Sequence, residues 1–118
     1  MKLTSFFLCL AFSLGAQASV FEYEVTLCLR NEGISLAKGR IFYESEGQYH
    51  QKDVWNHMIK GRQICFVVPQ GANNIFGEIK AMIGGKSCPL KGFSSVSNPY
   101  LTYIKIEADG KDCFIETR

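Results

Sequence analysis

Three observations predict an all-β fold, a small antiparallel sandwich or barrel of about six to seven strands. Apolar residues alternate with polar ones in several short runs. Those runs are bounded by Gly, Asn, Asp and Pro. They recur at the close spacing that short antiparallel strands adopt. The cysteine count adds two disulfides to that picture.

The first run is preceded by a segment of a different kind. Lys2 is followed by the apolar stretch Leu3 to Leu14, and Ala16-Gln17-Ala18 places small residues ahead of Ser19. This is the pattern of a secretory signal peptide, with cleavage expected near Ala18-Ser19. The apolar stretch is shorter than the roughly 20 residues needed to span a bilayer, so no transmembrane anchor is expected. The sequence therefore predicts a leader over 1–18 and one disulfide-stabilised β domain over 19–118, in a secreted or periplasmic location.

Phe21, Tyr23, Val25, Leu27 and Leu29 form one face of the first strand, with Glu22, Glu24, Thr26, Cys28 and Arg30 on the other. Asn31-Glu32-Gly33 is a turn signal. Arg40 to Glu44 reads as the second strand. Tyr49 to Ile59 is the one segment with helical spacing: Trp55, Met58 and Ile59 gather on one side, and His50, Asp53 and His57 on the other. A short helix or an irregular connection is expected near 49–59. Gln63 to Val68 is the next strand, stopped by Pro69. Ile75, Gly77, Ile79, Ala81 and Ile83 form the inner face of another, with Phe42, Phe76 and Met82 left on faces that the alternation turns outward. Lys86 to Tyr100 shows no strand pattern and reads as a long loop. Leu101 to Glu107 and Asp112 to Thr117 are the last two strands, joined by the Asp109-Gly110 hairpin turn.

Removal of Cys9 with the leader turns five cysteines into four: Cys28, Cys65, Cys88 and Cys113. Four cysteines in a small exported chain imply two disulfides, and three pairings are possible. Cys28 and Cys65 both lie off the apolar face of their strands. Cys88 and Cys113 flank a strand and a hairpin. The preferred pairing is Cys28–Cys65 with Cys88–Cys113.

Charge excludes some functions. Lys and Arg number 13 against 11 Asp and Glu, and losing Lys2 leaves a mature net charge of +1 with both signs dispersed. No basic face for nucleic acid is visible. No cofactor motif or nucleophile elbow appears, and no enzyme activity is expected. His50, Asp53 and His57 would share one face of a helix and are weak candidates for a metal site, giving a small metal-dependent enzyme as one alternative. A second is a protease inhibitor presenting Lys91 from the 86–100 loop, with Leu90 and Phe93 beside it. Trp55 and Tyr49, with Tyr43, could form an aromatic binding surface. The best reading of the sequence is a small exported, non-enzymatic binding module whose partner is a protein or a glycan outside the cytoplasm.

Overall fold

A computed structural model describes residues 24–118, with the side chains of Trp55, Asn56 and His57 excepted. The leader and its cleavage site lie outside the described residues. Eight strands follow in chain order: β1 (Glu24–Asn31), β2 (Leu36–Ser45), β3 (Gln48–Ile59), β4 (Gln63–Pro69), β5 (Asn73–Ile83), β6 (Cys88–Phe93), β7 (Tyr103–Ala108) and β8 (Cys113–Thr117). They form two four-stranded sheets. Sheet A has the order β4-β1-β7-β8 and sheet B the order β3-β2-β5-β6. The fold is a β-sandwich rich in antiparallel pairs, and among the described residues there is no helix.

Alternation explains how the sheets close on each other. Val25, Leu27 and Leu29 of β1 and Ile104 and Ile106 of β7 face inward from sheet A, fully buried. Ala37 and Ile41 of β2, Ile75 and Ile79 of β5, and Val54 and Met58 of β3 meet them from sheet B. Sheet B leaves two holes in its inner face, at Gly39 and Gly77. A Cβ on Gly39 would stand 2.9 Å from Leu29 Cδ1, and one on Gly77 would stand 2.7 Å from Ile106 Cδ1 and 3.3 Å from Leu29 Cδ2. Leu29 and Ile106 therefore fill the space that a side chain would need. Gly77→Ala is expected to cost about 1–3 kcal/mol through overpacking. In urea unfolding, the double variant Gly77→Ala/Ile106→Val should recover part of that loss; no recovery would show that Ile106 is not the obstacle.

One pair is parallel, β1 with β7 (Leu27↔Ile104, Leu29↔Ile106), where the alternation had suggested antiparallel pairs alone. No local signal encodes this pairing, because the two strands are separated by five others. Both bury one face only, through the alternating apolar residues Val25, Leu27 and Leu29 of β1 and Ile104 and Ile106 of β7.

The segment near 49–59 is strand β3, not a helix. It pairs with β2 across a two-residue turn in which Glu46 and Gly47 take φ values of 53° and 76°. Positive φ at both central residues suits the twist of a tight hairpin. The helical spacing has a physical origin. Gly39 pairs with Val54 and Ala37 with Met58, so a step of four residues in β3 matches a step of two in β2. This bulge puts Val54 and Met58 in the core at an interval of four, which imitates one helical turn.

The stretch 86–100 is likewise not one loop. Its first part is β6, paired with β5 through Ile75↔Phe93, Phe76↔Gly92 and Gly77↔Lys91. Pro89 and Gly92 hide a strand in this sequence, but β6 is an edge strand and tolerates them. The rest, 94–102, is tied down at the far end of the sandwich. Ser95 is buried: its hydroxyl accepts from Gly71 N at 2.7 Å and donates to Ala72 O at 3.3 Å.

Both disulfides take the preferred pairing. Cys28 and Cys65 are directly opposite in β1 and β4, with Cα atoms 4.0 Å apart. Cys88 and Cys113, 5.6 Å apart, join β6 to β8 and so tie sheet B to sheet A. Two disulfides fit an oxidising compartment.

The end of the sandwich holding the β1–β2, β3–β4 and β7–β8 turns is locked by backbone contacts. Asn31 is fully buried and makes three side-chain hydrogen bonds: Nδ2 donates to Ile34 O at 2.7 Å and Met58 O at 2.8 Å, and Oδ1 accepts from Ile34 N at 2.8 Å. In the β7–β8 turn the Asp109 carboxylate accepts from Asp112 N at 2.7 Å and Lys111 N at 2.8 Å. The backbone N–H groups of Asp112 and then Lys111 hold its pKa below the ordinary value. The folded chain thus binds this proton less readily than the unfolded chain. The stabilisation is full above about pH 4 and is lost as pH falls through the lowered value. Asp109→Asn should therefore show a smaller drop in melting temperature between neutral pH and strong acid than the unaltered protein. An equal drop would remove Asp109 from the acid response.

Candidate outer-face binding site

The two outer faces of the sandwich differ in chemistry. That of sheet A is laced with ion pairs. Lys105 lies 3.4 Å from Glu107 and 3.8 Å from Glu116, and Arg118 lies 2.7 Å from Glu116 with its guanidinium 4.3 Å from the Tyr103 ring centroid. Ion pairs dominate this surface, with Val67 and Phe114 exposed singly on its two edge strands.

The outer face of sheet B carries an aromatic row instead. Phe42 of β2 stands directly opposite Phe76 of β5, because each falls between inward-facing neighbours on its own strand. Their ring centroids are 4.6 Å apart at 30°. On the other side Tyr49 of β3 reaches Phe42 at 5.3 Å and 43°. Gly92 of β6 extends the row as bare backbone. A Cβ there would meet Phe76 Cε1 at 2.9 Å, so the Phe76 ring lies over the glycine. The three rings cross adjacent strands, whose spacing is about 4.8 Å. Tyr49 is 55% exposed, and both phenylalanines are half-buried.

Hydrogen-bonding groups flank the row on both sides. Towards the middle of the sheet, Tyr49 OH donates to Gln51 at 2.7 Å, and Arg40 Nη2 lies 3.0 Å from Glu78 Oε1. A cleft of about 360 Å³ opens there, lined by Arg40, Asp53, Glu78, Lys80 and Ser87 among others. On the opposite side, Asn74 Nδ2 donates to Glu44 at 2.8 Å. The arrangement pairs apolar ring surface with polar groups of fixed orientation, which is the make-up of a recognition surface.

The sequence-derived candidates separate across the structure. Tyr49 belongs to the row. Leu90 is exposed on β6, two residues before Gly92. Phe93 points the other way and packs against the core. Lys91 pairs with Gly77 on the edge strand and is exposed, so it does not sit on a protruding loop. The inhibitor arrangement falls with that correction. Trp55 lies at the bulge of β3, and its side chain is outside the described residues. His50 stacks on Tyr43, centroids 4.9 Å apart, in register with inward positions. Asp53 pairs with Arg40 on the outer face. A strand sends residues three apart to opposite faces, so His50 and Asp53 do not converge; the metal-site arrangement rested on a helix that is absent. The His57 side chain is not described. Among the described residues, no three His, Cys, Asp or Glu come together as a metal site. No helix there is long and apolar enough to cross a membrane.

Phe42 and Phe76 are the residues that sequence reasoning marked as outward without assigning a site. Their signal was large aromatics out of phase with the core alternation.

The structure defines the class of protein as a two-sheet, disulfide-tied β-sandwich, and comparison with known proteins agrees at the level of fold. No family model matches the sequence, and no curated protein matches it. Among solved structures, the cytotoxin suilysin from Streptococcus suis superposes with a TM-score of 0.51 at 16% identity, over 80% of this chain and 23% of suilysin. The membrane-binding domain of pneumolysin gives a TM-score of 0.44 at 15% identity, over 80% of this chain and 96% of that domain. The chain thus spans about a quarter of the suilysin chain. At such identity the suilysin likeness is one of fold alone.

Proposed function

We propose that this protein is a small exported, non-enzymatic binding module that engages an extracellular protein or glycan through the outer face of sheet B. The observation that carries this reading is the contiguous row Tyr49–Phe42–Phe76 on a solvent-facing sheet. Aromatic side chains placed outward in phase on neighbouring strands do nothing for the core. They do supply rigid, amphipathic contact area of the kind that dominates binding hot spots. Export follows from the leader pattern of residues 1–18, and the two disulfides support it.

The test is retention of the oxidised mature protein on a printed oligosaccharide array and on the extracellular protein fraction of its source, against Phe42→Ser and Phe76→Ser. Each substitution should weaken retention by about 2 kcal/mol, roughly thirtyfold, with the thermal melt little changed because both rings lie outside the core. Retention that is equal in all three proteins would place the contact surface elsewhere.

A further inference from the structure

We infer that the other end of the same outer face docks on an anionic lipid surface. The observation is a second row, aliphatic rather than aromatic. Leu36 of β2 stands opposite Ile59 of β3 on one side and Ile83 of β5 on the other. Leu36 and Ile59 share the outer face by register, and the shift between Leu36 and Ala37 turns Ile83 out of the inner face that alternation assigns it, so the three positions adjoin at the end of the sheet remote from the Phe42–Phe76 pair. Ile59 is 50% exposed and Ile83 62%, and Met82 beside it is 45% exposed. Three exposed apolar residues around the half-buried Leu36 are a patch that a monomeric protein does not need for folding.

Charge selects the occupant. Lys60 follows Ile59 directly, Lys86 lies just beyond Ile83, and both are exposed. Lys80 stands directly opposite Lys38 on the adjacent strand. Both line the cleft together with Asp53 and Glu78, and the flanking charge at the end itself comes from Lys60 and Lys86. Of the acidic groups around it, Glu78 further along the face is held by Arg40 at 3.0 Å with Asp53 beside them, Glu32 is held by Arg30 at 2.7 Å, the Asp109 carboxylate is taken by its own turn, and Asp112 is exposed in that turn. The opposite end of sheet B carries Glu44 and Glu46 instead. The molecule is close to neutral overall, yet its aliphatic end is the basic one. Aliphatic side chains flanked by lysines match the boundary between acyl chains and anionic headgroups. Nothing in this row offers the shaped pocket or directional hydrogen bonds that a specific protein partner would read.

The experiment is co-sedimentation of the oxidised mature protein with vesicles of phosphatidylcholine alone or of equal parts phosphatidylcholine and phosphatidylglycerol. Binding is expected to the mixed vesicles only, and it should be lost in roughly 1 M salt, where charges are screened within about 3 Å. Ile59→Ser with Ile83→Ser should lower partitioning tenfold or more, and Lys60→Gln and Lys86→Gln about fivefold each. The lysine variants lie on exposed turns and leave the core intact, so they report on binding even if the serine variant folds poorly. Absence of binding to the mixed vesicles, equal binding to both kinds, or binding unchanged in the variants overturns the inference. A dimer that forms without lipid and is lost in the serine variant also overturns it, by assigning the row to a second copy.

Discussion

Reduction of both disulfides is expected to lower the unfolding free energy by about 7 kcal/mol. The bridges close segments of 37 and 25 residues. Chain-entropy reasoning gives about 3.8 and 3.5 kcal/mol for loops of those lengths. The two segments do not overlap in sequence, so the restrictions they impose on the unfolded chain are close to additive. A domain of this size has roughly 5–15 kcal/mol in total, and the reduced protein should be largely unfolded at body temperature. The two bridges differ in what they hold. Cys28–Cys65 ties neighbours that the ladder already pairs. Cys88–Cys113 joins an edge of one sheet to an edge of the other. Replacing Cys88 and Cys113 by Ala should therefore also raise hydrogen exchange in β6 and β8, whereas replacing Cys28 and Cys65 should leave those edges protected. Guanidinium unfolding of the oxidised and reduced forms measures the total; a difference under about 2 kcal/mol would contradict the entropic account.

The second large effect is expected at Asn31. Its side chain bonds the β1–β2 turn and the end of β3 together. Asn31→Asp keeps the shape but replaces two donated hydrogen bonds by a carboxylate facing the carbonyls of Ile34 and Met58. Each stranded buried carbonyl costs about 1–3 kcal/mol, and an ionised group without water adds to that. A loss of about 4 kcal/mol at neutral pH is expected in urea unfolding. A protonated carboxyl can donate one bond, so the gap to the unaltered protein should narrow on acidification. A gap independent of pH would show that the carboxylate finds water. Asn31→Leu fills the space without any polar group, leaves the same backbone partners unpaired and should be destabilising without the pH dependence.

Much of this architecture was legible in the residues. The inward set Val25, Leu27 and Leu29 follows from alternation alone, and the same parity put Cys28 and Cys65 off the apolar face, where they meet. What was not legible is long-range or irregular. The four-for-two bulge between Ala37–Gly39 and Val54–Met58 gave β3 a helical interval. Pro89 and Gly92 removed the pattern from β6, which an edge position permits. The parallel pairing of β1 with β7 depends on how the two sheets stack, and no local residue encodes it. The binding face shows the same division. Phe42, Phe76 and Met82 were visibly out of phase with the core. Their grouping into two rows depends on how β2 registers with β3 and β5 at once, and periodicity within one strand carries no information about that. Leu36, with Ile59 on one flank and Ile83 on the other, is the clearest case, since none of the three stands out in the sequence.

The central claim is that sheet B's outer face is where this protein makes contact. Hydroxyl-radical footprinting of the protein with and without its retained partner tests it most directly. Protection should fall on Tyr49, Phe42, Phe76 and Leu90, with Tyr103 and Phe114 of sheet A unchanged. Protection of Tyr103 and Phe114 with the aromatic row still open would contradict it.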